Sequence, residues 1–341
     1  MKCMCTIIPS NVLKRFARDK KLSASVRRRF ADAAAHEKHW RELRTLNAAS
    51  SASAALTLSA GAAIAAVPAV TVYDCANGTT LPGSPVASPG SSSDQTAKRT
   101  FVETKAVAKF YKTLFGRNSI DNLGMTLQSS IHYGVKYNNA YWNGSQMTYG
   151  DGDSNIFVDF TLARDVIGHE LTHGVTQYTA QLAYADEPGG LNESMSDVFG
   201  SMFRQWRSNQ TVQQADWLIG KEIMGPGAIA RGYLCLRDMA NPAAAHCLAP
   251  QPTNYSQYHA GMDPHYSSGI PNLAFYRAAM AIGGKSWLVA GKIWYKALTG
   301  FGATPNLTMP KFAARTRGIA KATKNAAIIT AINKAWKSVG L

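Results

Sequence analysis

Residues His169-Glu170-Leu171-Thr172-His173 set two histidines four positions apart with a glutamate directly after the first. On a helix, positions i and i+4 lie one above the other, so both imidazoles project from one face. Val166, Ile167, Leu171 and Val175 flank them with apolar side chains, and a surface helix with two solvated histidines does not need such neighbours. A buried reading carries a cost, because two imidazoles and a carboxylate withdrawn from water must find partners. A zinc ion meets that cost when His169 and His173 supply two ligands, and Glu170 then stands beside the ion as a possible general base. Zinc requires a third protein ligand and, for chemistry, one open position. Glu193 lies twenty residues beyond His173, ahead of the apolar run Val198 to Trp206, which predicts a second helix able to carry it back. The fold must therefore bring two helices together around a buried polar cluster.

His169 to Ala180, with Tyr184 and Gly190 to Gly200, resembles the active-site helices of thermolysin-like metallopeptidases. The resemblance runs from about Val72 to Leu341. The opening Cys5-Thr-Ile-Ile-Pro-Ser10 resembles the short propeptide of the protealysin-like branch. The fold implied is α+β and two-lobed, with a β-rich N-terminal lobe and a mainly helical C-terminal lobe on either side of an active-site cleft. The expected division is a helical propeptide at 1–50, an Ala/Ser-rich linker or processing region at 51–70, lobes at 71–180 and 181–341. The propeptide is expected to occupy the cleft until it is removed.

The resemblance also implies roles. One zinc per chain, held by His169, His173 and Glu193, would polarise a water and lower its pKa. Glu170 would take the proton and pass it to the leaving amine. His265 and the Tyr184 hydroxyl would stabilise the oxyanion. Asp197 would orient His169, and Asn192 would orient His173. Asn139 and the Ala140 carbonyl belong to an edge strand that binds extended peptide, and Arg237 would contact the carbonyl on the leaving-group side. Phe157, Phe160, Val166 and Leu236 would line a pocket for a bulky hydrophobic residue just after the cleaved bond. The activity implied is that of a neutral metalloendopeptidase made as a precursor, with peptides or proteins as substrates.

Two positions depart from the family pattern. Ala260 stands where an acid usually steadies the second catalytic histidine, which leaves His265 either less well oriented or served by Asp263 instead. A calcium site would gather carboxylates around Asp165 and Asp216, but Arg204, Leu218 and Lys221 occupy positions where further carboxylates belong. Cations there repel a divalent ion, so the calcium site is expected to be absent. Asp151 and Asp153, in a turn, are too few carboxylates to indicate calcium elsewhere.

Composition narrows the rivals. The net charge of +15 divides between residues 1–50 and the remainder, and no acid follows Asp263 while eleven Lys or Arg do. A basic C-terminal lobe admits an anionic surface as a partner, although a solvated face explains the same charge; nothing points to a specific nucleic acid, and a monomer is expected. Five scattered cysteines exclude a disulfide scaffold and none has C-x-x-C spacing, while Cys235 and Cys247 are close enough in sequence to bridge a loop. A Cys5 thiolate would fit zinc's open position, but an inert cysteine is the simpler reading. No classical signal peptide is visible, which favours cytoplasmic synthesis or release by a non-classical route. The uncharged stretch 47–70 is too rich in alanine and small polar residues for a membrane span. Two rivals remain: an aminopeptidase-type zinc enzyme, for which no amine-binding motif is seen, and a non-catalytic binder of anionic polymers, which would not need Glu170.

Overall fold

The computed structural model describes residues 5–50 and 68–341, residues 38–50 as backbone alone. The linker or processing region expected at 51–70 falls almost wholly outside the described residues. Strand β1 (Cys5–Thr6) leads through Pro9 into helices α1 (Ser10–Arg18) and α2 (Ala24–Ser50). The helical content expected of the N-terminal segment is present, but as one short helix and one long one. No Gly or Pro interrupts residues 24–50, so nothing in the backbone chemistry breaks the second helix.

Strand β2 (Val70–Asp74) pairs antiparallel with β3 (Ser84–Pro85). Helix α3 (Gln95–Phe115) then crosses over to β4 (Leu127–Ile131), which lies parallel to β2. Asp94 starts α3 by accepting the Thr96 N–H, and Gly116 ends it at φ +68°, a conformation glycine adopts without strain. Asn77-Gly78, a pair that favours a two-residue hairpin turn, instead lies within the longer connection between β2 and β3, where the Gly78 N–H donates to the Cys75 carbonyl. His132 at φ +50° ends β4 after Ile131, short of the strand that alternation through Tyr137 predicts. Strands β5 (Ala140–Trp142) and β6 (Met147–Tyr149) form a hairpin, and β6 lies parallel to β4. Among the described residues the sheet order is β1-β5-β6-β4-β2-β3, so the N-terminal strand adds itself to the β5 edge.

Helix α4 (Arg164–Gln177) and helix α5 (Asp186–Arg207) form the junction of the two lobes. They pack closely because Gly168 and Gly200 face each other. A Cβ on Gly168 would meet the Gly200 Cα at 3.0 Å, and one on Gly200 would meet the Asp165 carbonyl oxygen at 2.4 Å. Beyond them come β7 (Leu218–Ile219), the single turn α6 (Pro226–Ile229) and β8 (Arg237–Asp238), antiparallel to β7. The short helix α7 (Pro264–Ser267) precedes α8 (Gly269–Ile282), α9 (Ala290–Thr299), α10 (Met309–Ala322) and α11 (Ala326–Lys337). Their core centres on Trp294 stacked against Trp336, whose indole N–H donates to the Thr316 hydroxyl at 2.7 Å. A single buried apolar cluster runs from Ile7 and Ile8 through the sheet and both central helices to Trp336. No helix among the described residues is long and apolar enough to cross a membrane.

Candidate metal centre and cleft

The glycine contact between α4 and α5 sets Glu193 against the two histidines. His169 Nε2 and His173 Nε2 lie 3.0 Å apart, and each is 3.5 Å from a carboxylate oxygen of Glu193. All three side chains are fully buried. The outer ring nitrogens fix the tautomers. His169 Nδ1 donates to Asp197 at 2.9 Å and His173 Nδ1 donates to Asn192 Oδ1 at 2.9 Å. The Asn192 amide is itself oriented, since its nitrogen donates to the Leu182 carbonyl at 3.1 Å. Both protons therefore sit on Nδ1, which leaves two Nε2 lone pairs and a carboxylate converging on one point. Burial holds His173 neutral by lowering its pKa to about 3. Glu193 stays ionised: burial opposes its charge, but the cationic groups facing it, His265 first and Arg237 after it, favour it. Three acceptors so close together repel one another unless a cation lies among them, so this donor set fits a zinc-type ion.

Glu170 sits within the same helix turn, fully buried, and among the described residues its carboxylate oxygens meet no close donor, the Trp142 backbone N–H favouring their charge only weakly. Burial, reinforced by Glu193, raises its pKa well above the ordinary carboxylate value. Across the cleft His265 Nε2 lies 3.3 Å from the Tyr184 hydroxyl, which also donates a short hydrogen bond to Glu193. Asp263 takes the place that Ala260 cannot fill: it caps α7 and accepts from His265 Nδ1 at 2.8 Å. His265 is thus well oriented. Its pKa rises to about 9, because Glu193 and Asp263 outweigh the opposing effect of burial.

Asp197 carries more than the sequence implied. Besides His169 it accepts two bonds from Arg237, at 2.8 and 2.6 Å, and one from the Asn272 amide at 2.8 Å. Four donors on two oxygens hold its pKa far below the usual range, against burial. Asn272, and Ser196 at 3.1 Å from His173 Nδ1, are additions that no spacing rule could have supplied.

Three of the expected peptide-binding residues, Asn139, Ala140 and Arg237, meet one occupant, the chain's own N-terminal segment. The Ile7 N–H donates to the Ala140 carbonyl at 3.1 Å. The Asn139 side chain brackets Ile8, accepting its N–H at 3.0 Å and donating to its carbonyl at 3.3 Å. Arg237 donates to the Ile7 carbonyl at 3.2 Å, and His265 Nε2 lies 2.6 Å from the Thr6 carbonyl oxygen. Phe157, Phe160, Val166 and Leu236 are all buried in the common core. Phe157 packs its ring against Phe160 and also against Phe16 of α1 and Phe30 of α2. Cys5 pairs through its backbone with Trp142, and its sulfur is in a disulfide, so it supplies no thiolate to the metal centre.

The region where a calcium site was discounted is organised around a guanidinium. Arg204 reaches Asp165 at 3.2 Å and Glu222 at 3.5 Å, and forms a short ion pair with Asp216, which Lys221 also approaches at 3.3 Å. Leu218 N–H donates to the same Asp216 carboxylate. Asp165 is fully buried, and desolvation pushes its pKa up to about 7 even beside Arg204. In the other turn Asp151 pairs with His132 at 2.9 Å, and Asp153 accepts three consecutive backbone N–H groups, so both carboxylates are engaged within the protein.

Comparison with known proteins agrees with this geometry. The thermolysin metallopeptidase catalytic domain matches residues 35–177, and the thermolysin metallopeptidase alpha-helical domain matches residues 180–341. An extracellular metalloprotease of Pectobacterium carotovorum subsp. carotovorum is 40% identical over 284 residues, 80% of either chain. A thermolysin of Alicyclobacillus acidocaldarius is 39% identical over 67% of this chain and 43% of its own. The solved precursor of protealysin, a metalloproteinase from Serratia proteamaculans, superposes with a TM-score of 0.81 at 36% identity, covering 98% of this chain and 99% of that one.

Proposed function

We propose that this chain, which belongs to the thermolysin family of metallopeptidases, is a zinc endopeptidase whose cleft is held shut by its own N-terminal strand. That it is a metalloendopeptidase follows from the family. The observation that carries the finer reading is the register of Thr6, Ile7 and Ile8. Main-chain donors and acceptors of these residues engage Ala140, Asn139, Arg237 and His265 in the way an extended peptide adds to a sheet edge. The Thr6 carbonyl faces His265 Nε2. A substrate in this register would present its reactive carbonyl where Thr6 lies and its following residue where Ile7 lies.

His169, His173 and Glu193 would hold the zinc, which when bound supplies Lewis-acid polarisation of a water and lowers its pKa. Glu170 is the base: its carboxylate takes the water's proton and returns it to the amine nitrogen as the peptide bond breaks. His265 Nε2 and the Tyr184 hydroxyl donate to the carbonyl oxygen as negative charge collects there. Arg237, locked by Asp197, orients the carbonyl one residue further on, and Asn139 fixes the next. Asp197 and Asn192 hold both metal-facing imidazoles in the tautomer that presents a lone pair.

Ile7 is fully buried at the position after the reactive carbonyl, which supports a preference for bulky hydrophobic residues there. Peptides blocked at both ends test this once limited trypsin has cut the Lys- and Arg-rich N-terminal segment. Cleavage before an internal leucine or phenylalanine is expected to exceed cleavage before aspartate by about 10²-fold, as burial of a large side chain against exclusion of a charge requires. Cleavage only of peptides with a free amino terminus would favour the aminopeptidase reading instead.

A further inference from the structure

Beyond the cleft, a second set of metal-ligating side chains gathers where β8 meets the loop that follows it. We propose that Cys235, His246 and Cys247 form a separate structural site for one zinc-class cation. Cys235 and Cys247 face each other across an isolated parallel bridge, closed by the Leu234 N–H to the His246 carbonyl and the Leu248 N–H to the Cys235 carbonyl, both at 2.9 Å. Their sulfurs are 3.9 Å apart and both residues are buried. Two thiolates bound to a tetrahedral zinc, with Zn–S bonds of about 2.3 Å, stand about 3.8 Å apart. A disulfide would require about 2.05 Å. The observed spacing matches shared coordination and is nearly twice what a covalent bridge needs.

The third candidate ligand has the carboxylate partner that metal-binding imidazoles commonly have. A ring nitrogen of His246 lies within 4.8 Å of both sulfurs. His246 Nε2 donates to Asp238 at 3.0 Å, which leaves Nδ1 with its lone pair. Asp238 is held in turn by the Ala240 and Asn241 N–H groups, at 2.8 and 3.0 Å on its other oxygen. The His246 side chain is 34% exposed, so solvent reaches the cluster on that side. Binding replaces the two thiol protons, which leave to solvent, with two metal–sulfur bonds. The ion would tie the irregular loop after Asp238 back to the residue two positions before Arg237, and so brace the strand that presents Arg237 to the cleft.

Cobalt loading separates this site from the catalytic one, because His169, His173 and Glu193 offer no sulfur. The full chain, stripped of metal and loaded with Co²⁺, is expected to show thiolate-to-cobalt charge-transfer absorption in the near ultraviolet. The band should persist in His169→Ala and vanish in Cys247→Ser, whose zinc content should fall by about one per chain. Should Cys247→Ser fail to fold, His246→Ala, at a partly exposed position, should weaken cobalt binding by at least the roughly 10–100-fold that loss of a ligand's outer partner costs, with the fold retained. Absence of the band, with Cys235 and Cys247 still open to thiol reagents in excess zinc, would overturn the site. So would a chain mass lower by two hydrogens through a Cys235–Cys247 disulfide. Neither result would touch the assignment of the peptidase centre.

Discussion

Glu170→Ala is expected to lower hydrolysis of a blocked peptide by roughly two to four orders of magnitude, the range that a positioned general base contributes. The comparison is with the unaltered chain, both after limited trypsin. Zinc content should not change, since Glu170 is not among the three converging donors. Neither should the fold suffer. Both Glu170 oxygens are buried without a close donor among the described residues, so truncation removes a poorly satisfied polar group and leaves the helix contacts of α4 intact. The melting temperature should stay the same or rise. Loss of activity with loss of zinc or of the folded state would mean that Glu170 is structural, and undiminished cleavage would remove it from the mechanism.

The second large effect concerns the intact, untrimmed chain. Ile7→Asp should raise its hydrolysis of a blocked peptide by about 10²-fold. Ile7 is fully buried between the edge strand and the central helices, and burying such a side chain stabilises by about 1.5–3 kcal/mol. Each 1.4 kcal/mol is a factor of about ten in occupancy. A carboxylate at that position must be stripped of water to stay in place, which tips the strand out of the cleft. The remaining anchors of the segment, such as Phe16 and Phe30 against Phe157 and Arg15 on the Leu248 carbonyl, are unaffected. An unaltered chain that already cleaves as fast as the variant would show that β1 does not block the cleft.

The metal-facing residues were legible because helical spacing alone puts His169 and His173 on one face, and because an apolar run after Glu193 announces the second helix. What spacing cannot state is how closely those helices approach. That depends on Gly168 and Gly200, two residues whose absence of a side chain carries no periodic signal. The two-lobed fold followed from the resemblance, and the same resemblance implied the roles of Asp197, Asn192 and Arg237. The partners that complete them came from distant sequence. Asn272 reaches Asp197 across 75 positions. Asp263, by contrast, stands only two residues before His265, so its service to that imidazole was open to reading as the alternative to an acid at 260. Strand β1 is two residues long, too short for any alternation, and its pairing with β5 is decided by the edge that Ala140 to Trp142 leave open. Likewise Arg204 was legible as an obstacle to calcium, but its pairing with Asp165, Asp216 and Glu222 is a property of the packed chain.

The whole account depends on one ion held by side chains from α4 and α5. Anomalous diffraction at the zinc edge, from crystals of the unaltered chain, measures this directly. The predicted result is a peak about 2.0–2.2 Å from His169 Nε2, His173 Nε2 and a Glu193 carboxylate oxygen. A zinc-replete crystal with no peak there, or with the Glu193 carboxylate turned away from both imidazoles, would contradict it.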